Sequence, residues 1–143
     1  MGKQDSNSTE FKTSNNPVVS LMTEWNNENK TEKRDLTSDK GGTMRLGSYR
    51  AVLKKGSKIH NIYNSDEISE RHRHRYEVDL SYTRDFEKKG FHFSGMSPDN
   101  ILPEVIESVY HKWFIGVQFH PELKSRPLAP HPLFSSFIKH CIK

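Results

Sequence analysis

Short stretches in which apolar and polar residues alternate predict β-strands along much of the chain. Residues 43–53 have the alternation of a half-buried strand. In residues 70–78 histidines and arginines alternate, which predicts a strand with the histidines on one face and the arginines on the other. Two more strands are predicted by residues 90–99, which lead into a turn, and by residues 103–109.

Residues 113–119 are apolar nearly throughout, which is typical of a strand covered on both faces. Residues 57–68 are ambiguous, although some of their apolar side chains stand at helical spacing. A short helix is predicted over residues 81–89, with Ser81 as its N-cap and Gly90 as its stop.

Residues 131–143 predict an amphipathic helix at the end of the chain. Its apolar residues fall on one helical stripe, namely Leu133, Phe134, Phe137, Ile138, Cys141 and Ile142. A nearly continuous apolar strand with helices on either side favours an α/β fold, in which a sheet is flanked by helices.

Composition indicates that part of the chain is unpacked or belongs to something larger. Only 32% of the 143 residues are hydrophobic, and the mean hydropathy is −0.86, which is low for a globular domain. Residues 26–40 contain a single leucine among four basic and four acidic residues. They are interpreted as a polar loop that is flexible or forms a hairpin tip.

Charge and cysteine content narrow the class of protein. Twenty-two basic residues against eighteen acidic ones give a net charge of +4, which is too mild a bias to predict a nucleic-acid partner. No run of apolar residues reaches the ~18 needed to span a membrane. A single cysteine, Cys141, excludes an internal disulfide and suits a reducing compartment, so we expect a cytoplasmic protein.

The motif His120-Pro121-Glu122 follows the apolar run directly. Because Pro121 fixes its own φ, we expect His120 and Glu122 to leave the strand together in a stiff turn. A carboxylate in that position can accept the Nδ1–H of the imidazole, which leaves Nε2 free to act as a base. The alternative is that His120 merely ends a strand and that Glu122 is solvated.

The sequence offers no convincing nucleophile for such a base. Cys141 lies on the apolar stripe of the last predicted helix, where a free cysteine packs as a small hydrophobic residue. Ser94, which precedes Gly95, lacks the glycine before it and the helix after it that a nucleophile elbow requires.

Three hypotheses remain open for the basic cluster at residues 71–75. His72 and His74 share one face and could form part of a metal site, although spacing compels no third ligand. The arginines could contact phosphate or nucleic acid. One arginine could instead bind a carboxylate through a bidentate contact.

Six motifs, taken in order, resemble the C-terminal part of the CTP synthase family. They are NSTEF, GGTMRLG, ERHRHRYEV, FSGMSPD, WF with QFHPE, and SRPLAPHPLFSSFI. The HPE motif is shared by class I glutamine amidotransferases, whereas NSTEF, GGTMRLG and RHRHRYEV are typical of CTP synthases. The resemblance covers nearly the whole chain except the polar loop.

The resemblance implies an α/β, flavodoxin-like amidotransferase sheet, of which residues 1–143 are the C-terminal portion. It implies that the N-terminal half of that domain, with its nucleophilic cysteine, and the synthase domain are absent. Family members make CTP from UTP, ATP and glutamine, and they use ATP and Mg²⁺ in the synthase domain, so no cofactor is expected here. The implied partners are L-glutamine, the missing segments and further copies in a homotetramer.

Site roles follow from the same resemblance. His120 matches the histidine that activates the cysteine, and Glu122 matches the glutamate that orients it. Glu10 and Arg75 match the acidic and basic contacts of the glutamine substrate. We expect negligible glutaminase activity from the polypeptide alone. The alternatives are a non-catalytic remnant that binds glutamine or docks on a partner, and a fragment of another class I amidotransferase.

Overall fold

The computed structural model describes residues 4–21, 24–27, 30–33 and 44–142. The strands are β1 (Ser6–Ser8), β2 (Asn16–Leu21), β3 (Glu24–Asn27), β4 (Lys30–Lys33), β5 (Arg45–Leu53), β6 (Glu67–His74), β7 (Tyr76–Val78), β8 (Phe91–Met96), β9 (Pro103–Ser108) and β10 (Ile115–Val117). The α-helices are α1 (Lys58–Tyr63), α2 (Thr83–Glu87) and α3 (Pro132–Cys141). Among these described residues, no helix is long and apolar enough to cross a membrane.

The larger sheet has five antiparallel strands in the order β10-β9-β8-β5-β6. Its longest pairing joins β5 to β6, from Arg45 opposite His74 to Val52 opposite Glu67. Since β6 pairs only with β5 among the described strands, its other edge faces away from the sheet. The α/β class predicted from the sequence is confirmed.

A smaller sheet has the order β1-β2-β7. The predicted strand over residues 70–78 is therefore two strands that belong to different sheets, with a break at Arg75. The prediction of alternating faces holds as far as His74. After the break the inward-facing side chain is Glu77, whereas Tyr76 and Val78 are only half-buried.

The apolar core lies between the larger sheet and the helices α1 and α3. It is formed by Ala51, Leu53, Ile59, Ile68, Val105, Phe119 and Leu133. The predicted buried strand over residues 113–119 is wrong in extent and position, because β10 covers only Ile115–Val117, is half-buried and lies at the outer end of the sheet. The apolar content of this stretch reflects its contact with the core, because Phe119 belongs to the core and Trp113, Ile115 and Val117 pack against it.

Helix α1 begins where two side chains satisfy its first backbone amides. Ser57 accepts a hydrogen bond from the amide of His60. The buried carboxylate of Glu107 accepts from the amides of Lys58 at 3.0 Å and Ile59 at 2.8 Å. The helical spacing noted in residues 57–68 thus corresponds to a helix. Its first backbone amides have acidic and hydroxyl partners, as helix capping requires.

The predicted helix over residues 81–89 is shorter and has a different cap. A 3₁₀ turn, Leu80–Tyr82, comes first, and Asp79 rather than Ser81 is its N-cap, accepting from the amide of Ser81. Gly90 ends the region with φ of 73°, as expected of a glycine stop.

Helix α3 confirms the last predicted helix but not the burial of its stripe. Leu133 is buried, whereas Phe137 and Ile138 are 46% and 55% exposed. Cys141 is also exposed, so the prediction that it packs as a small hydrophobic residue is wrong. Only part of the apolar stripe of α3 is therefore covered by the rest of the described structure.

The predicted polar loop over residues 26–40 includes part of a hairpin. β3 pairs with β4 from Glu24 opposite Lys33 to Asn27 opposite Lys30. Residues 28–29 and 34–40 lie outside the described residues, and so does the Gly41-Gly42 pair.

We expect Glu107→Ala to destabilise the protein by about 2–4 kcal/mol, because the amides of Lys58 and Ile59 lose their buried acceptor. Equilibrium unfolding in urea measures the change. The matched control is Glu87→Ala, which removes an exposed carboxylate and is expected to change stability by less than about 0.5 kcal/mol. Equal effects of the two substitutions would contradict the capping role.

Candidate active site

His120 and Glu122 form a hydrogen-bonded pair at the surface. The Nδ1 of His120 lies 2.7 Å from Oε1 of Glu122. A carboxylate can only accept, so Nδ1 carries the proton and the lone pair of neutral His120 is on Nε2. The hydrogen bond from His120 lowers the pKa of Glu122, whose side chain is largely exposed.

The turn that carries this pair is built as Pro121 predicts. Pro121–Leu123 form a 3₁₀ turn with Pro121 in its first position, and the amide of Leu123 donates to the carbonyl of His120. The predicted stiff turn is thus confirmed. His120 follows β10 by three residues, however, rather than directly following a strand.

The backbone of His120 is fixed to the edge of β6. Its amide donates to the carbonyl of Arg71 at 2.8 Å. Within the described part of the chain, no protein group forms a hydrogen bond with Nε2 of His120. The imidazole is therefore oriented by Glu122, held by its backbone, and free at the nitrogen that would take a proton.

The other two predicted site residues lie at one end of the smaller sheet. Glu10 is in the turn that follows β1, and Arg75 immediately precedes β7. β1 runs parallel to β2 and β2 antiparallel to β7, with Ser8 opposite Val19 and Leu21 opposite Tyr76. This register places the last residue of β1 and the first residue of β7 near the same end of the sheet, where β2 ends. Glu10 is exposed and Arg75 is half-buried.

The imidazole rings of His72 and His74 are hydrogen-bonded to each other. Nδ1 of His72 lies 2.8 Å from Nε2 of His74, and Nδ1 of His74 lies 3.1 Å from the carbonyl of Tyr76. Among the described residues, no group of three potential metal ligands is found. Burial lowers the pKa of His72 to about 2, with further contributions from the positive charge of Arg45 and from neighbouring histidines.

Behind the histidines lies a buried group of charged side chains, which we call the Arg45 cluster: Arg45, Glu77 and Glu104. Arg45 contacts Glu104 at 2.5 Å and Glu77 at 3.5 Å, and its guanidinium lies 4.4 Å from the ring centre of Tyr49. Burial raises the pKa of Glu104. Burial and the nearby charge of Glu104 raise the pKa of Glu77 to about 7, although Arg45 and Gln118 oppose the shift.

Gln118 links this cluster to the turn that carries His120 and Glu122. Its side-chain amide donates to Glu77 and, at 2.8 Å, to the carbonyl of Pro103. Glu77 is two residues beyond Arg75, and Gln118 is two residues before His120. One hydrogen bond therefore joins the chain near the proposed substrate arginine to the chain near the proposed base.

Comparison with known proteins identifies the family of the chain. Residues 13–140 match the family model of class I glutamine amidotransferases. The chain belongs to the class I glutamine amidotransferase family.

Relatives within this family point to one branch of it. The chain is 58% identical to a CTP synthase of Paramagnetospirillum magneticum over 142 residues and 64% identical to one of Beijerinckia indica over 132 residues. These matches cover 99% and 92% of the chain but only 26% and 24% of the relatives. The chain thus spans about a quarter of the length of the curated relatives it matches.

A solved structure has the same fold. The glutaminase domain of Trypanosoma brucei CTPS, with bound acivicin, superposes with a TM-score of 0.79 at 34% identity. The match covers 96% of this chain and 50% of that chain. The chain is therefore similar, over 96% of its length, to a segment of a CTP synthase glutaminase domain.

Among the described residues, neither nucleophile candidate considered from the sequence forms a hydrogen bond with His120. Ser94 is buried, with 1% of its surface exposed. Cys141 is exposed at the end of α3. Sequence reasoning missed the buried carboxylates Glu70, Glu77 and Glu104. The sequence did contain a sign that Glu70 is buried, because Glu70 is two residues before His72 and therefore lies on the same face of the predicted strand.

The raised pKa of Glu77 makes stability depend on pH in a defined direction. The folded state binds the proton of Glu77 more tightly than the unfolded state, so its contribution is fully present below pH ~4.5 and is lost as pH rises through about 7. We expect Glu77→Gln, which cannot ionise, to gain stability relative to wild type over this window, by at most about 3 kcal/mol.

Urea unfolding at several pH values measures the difference. The matched control is Glu67→Gln on β6, because a hydrogen bond from Arg50 lowers the pKa of Glu67 and the slope has the opposite sign. A stability difference for Glu77→Gln that stays constant between pH 4.5 and 7 would contradict the assignment.

Proposed function

We propose that this chain forms part of the glutaminase site of a CTP synthase and that His120, oriented by Glu122, is the base of that site. The observation that carries the proposal is the 2.7 Å contact from Nδ1 of His120 to Glu122, with Nε2 directed at no described protein group. The similarity to CTP synthases over 99% of the chain supports the reaction class.

The proposed reaction hydrolyses the side-chain amide of glutamine. Nε2 of His120 takes the proton of a cysteine thiol, and the thiolate attacks the amide carbonyl. The protonated imidazole returns the proton to the leaving nitrogen, so that ammonia departs and a thioester remains. His120 then deprotonates a water molecule that cleaves the thioester, releasing glutamate and the thiol.

The nucleophilic thiol in this proposal belongs to polypeptide other than these 143 residues. The one cysteine in the sequence is Cys141, which is exposed at the end of α3. Because the chain spans about a quarter of its CTP synthase relatives, we propose that it acts together with further CTP synthase sequence. There a synthase domain consumes the ammonia, with UTP and ATP, to form CTP.

Glu10 and Arg75 are the proposed contacts for free glutamine. The substrate carries an α-ammonium group, which a carboxylate attracts, and an α-carboxylate, which a guanidinium binds in a bidentate manner. Their position at the same end of the smaller sheet supports a shared role. Of the three hypotheses for the basic cluster, this one assigns Arg75 to the substrate.

A chimaera tests the role of His120. Residues 1–143 replace the matching segment of the Paramagnetospirillum magneticum CTP synthase, and glutamine hydrolysis is assayed. We expect His120→Ala to lower kcat by about 10²–10⁴, since general acid–base catalysis is lost. Glu122→Gln is expected to cause a smaller loss, because an acceptor oxygen remains without its charge.

The matched control is His140→Ala, which removes an exposed histidine on α3 and is expected to leave glutamine hydrolysis unchanged. CTP formation from added ammonia measures the synthase half separately. A His120→Ala chimaera that hydrolyses glutamine as fast as the unsubstituted chimaera would contradict the proposal.

Glutamine binding tests Arg75. We expect Arg75→Met to raise the KM of the chimaera for glutamine by about tenfold or more, since a charge-assisted contact to the α-carboxylate is lost. The matched control is Arg73→Met, which removes an exposed arginine of the same cluster. Equal KM values for Arg75→Met and the unsubstituted chimaera would assign the glutamine carboxylate to another residue. A chimaera that contains the nucleophilic cysteine and binds glutamine in calorimetry but does not hydrolyse it would instead favour the non-catalytic alternative.

A further inference from the structure

We propose that Glu70 is a positioning residue, which holds the segment over residues 120–131 against β6 and thereby fixes the place of His120. The inference rests on the proposed role of His120. Glu70 lies on the inward face of β6, where only 2% of it is exposed.

Three hydrogen-bond donors from different parts of the chain meet one oxygen of Glu70. The hydroxyl of Tyr63 lies 3.0 Å from Oε1, Nε2 of His131 lies 3.2 Å away and Nζ of Lys124 lies 3.3 Å away. Tyr63 comes from α1, whereas Lys124 and His131 come from the segment that carries the proposed base. We call these four residues the Glu70 cluster.

The chemistry of His131 fixes the direction of its hydrogen bond. Its Nδ1 accepts from the amide of Leu133 at 3.3 Å, capping α3. In the neutral ring the proton is therefore on Nε2, which donates to Glu70. Removing the carboxylate would leave this buried donor with only the hydroxyl of Tyr63, 3.1 Å away.

Lys124 and His131 stand at the two ends of one loop. Lys124 follows the 3₁₀ turn that begins at Pro121, and its amide donates to the carbonyl of Pro121. His131 begins α3, and its amide donates to the hydroxyl of Ser125 at 3.1 Å. The carboxylate of Glu70 thus contacts Lys124 at the start of the loop and His131 at its end. His120 lies directly before the 3₁₀ turn that leads to Lys124.

The backbone of β6 reinforces these contacts on both sides of Glu70. Lys124 donates to the carbonyl of Ser69 at 2.7 Å, and the amide of His120 donates to the carbonyl of Arg71 at 2.8 Å. Three consecutive residues of β6 therefore hold the catalytic segment. Glu70 is the only one of the three that does so through its side chain.

The ionised form of Glu70 suits this role. Burial by itself raises the pKa of the carboxyl, but the hydrogen bond from His131 and the charge of Lys124 outweigh burial, and the pKa is lowered. Because the pKa of Glu70 is lowered, its carboxylate is negatively charged near neutral pH and attracts Lys124. A glutamine in its place keeps an acceptor oxygen and loses that attraction.

Amide hydrogen exchange in the 143-residue chain tests the contact directly. We expect Glu70→Gln to raise exchange at the amide of His120 by at least about tenfold relative to the amide of Leu53, a core β5 group bonded to the carbonyl of Asp66. The ratio separates local release from a general loss of stability, which would accelerate both amides. The matched control is Glu67→Gln, an exposed carboxylate on the same strand that pairs with Arg50.

A second variant guards against misfolding of Glu70→Gln. Lys124→Met removes a partly exposed partner and leaves Tyr63 and His131 bonded to Glu70. We expect it to raise the same ratio by about threefold to tenfold. Exchange ratios within twofold of wild type in both variants would overturn the proposal.

Kinetics of the chimaera test the catalytic consequence. Glu70→Gln is expected to lower kcat for glutamine hydrolysis by about tenfold to a hundredfold with KM changed less than twofold, because misplacing a catalytic group affects the chemical step. An unchanged kcat together with a raised exchange ratio would overturn the positioning role. If instead His120→Ala leaves the chimaera active, the proposed base is wrong while the exchange result still reports on the Glu70 contact.

Discussion

The outer edge of β6 has carbonyl groups that need hydrogen-bond donors, and the segment after Phe119 supplies them. The amide of His120 reaches Arg71 and the ammonium of Lys124 reaches Ser69. An unpaired edge would be costly if buried and prone to association if exposed. The hydrogen bond from the amide of His120 to the carbonyl of Arg71 pairs one of these edge groups and also fixes the backbone of His120. The need to pair the edge of β6 thus determines where the candidate base lies.

The interior beneath this edge contains many charged and polar groups. Glu70 and His72 are consecutive inward side chains of β6, and Arg45 lies on the paired strand β5. Buried charges are tolerated only when they are paired and hydrogen-bonded. Their mutual contacts make each position depend on its neighbours, and they account in part for a hydrophobic content of only 32%. The Arg45 cluster joins this region to Gln118 and hence to the turn that carries His120 and Glu122.

The sequence predicted features that depend on local pattern. Period-two alternation identified β5 and β6 as strands. In β5 it did not identify the buried face, because Arg45 is buried and Leu46 is 62% exposed. Pro121 predicted the turn that presents His120 and Glu122, since proline restricts the backbone wherever it occurs. Apolar content over residues 113–119 indicated burial, but it carries no information on which strands pair, and β10 lies at the outer end of the sheet.

Buried charges could not be predicted in the same way, because glutamate and arginine are usually exposed and become buried only with partners distant in sequence. Arg45 meets Glu104 across 59 positions, and Glu70 meets His131 across 61. The apolar stripe of α3 led to the opposite error, since Cys141 was expected to be packed and is exposed. The roles proposed for Glu10 and Arg75 came from the resemblance to CTP synthases, since no local pattern distinguishes these two residues.

The central claim is that Glu122 holds His120 with a protonated Nδ1 and an available Nε2. Nitrogen-15 NMR of the His120 ring in the 143-residue chain, at a pH where the ring is neutral, measures this most directly. The expected result is a protonated Nδ1 and an unprotonated Nε2. A neutral ring whose proton is mainly on Nε2 would contradict the account.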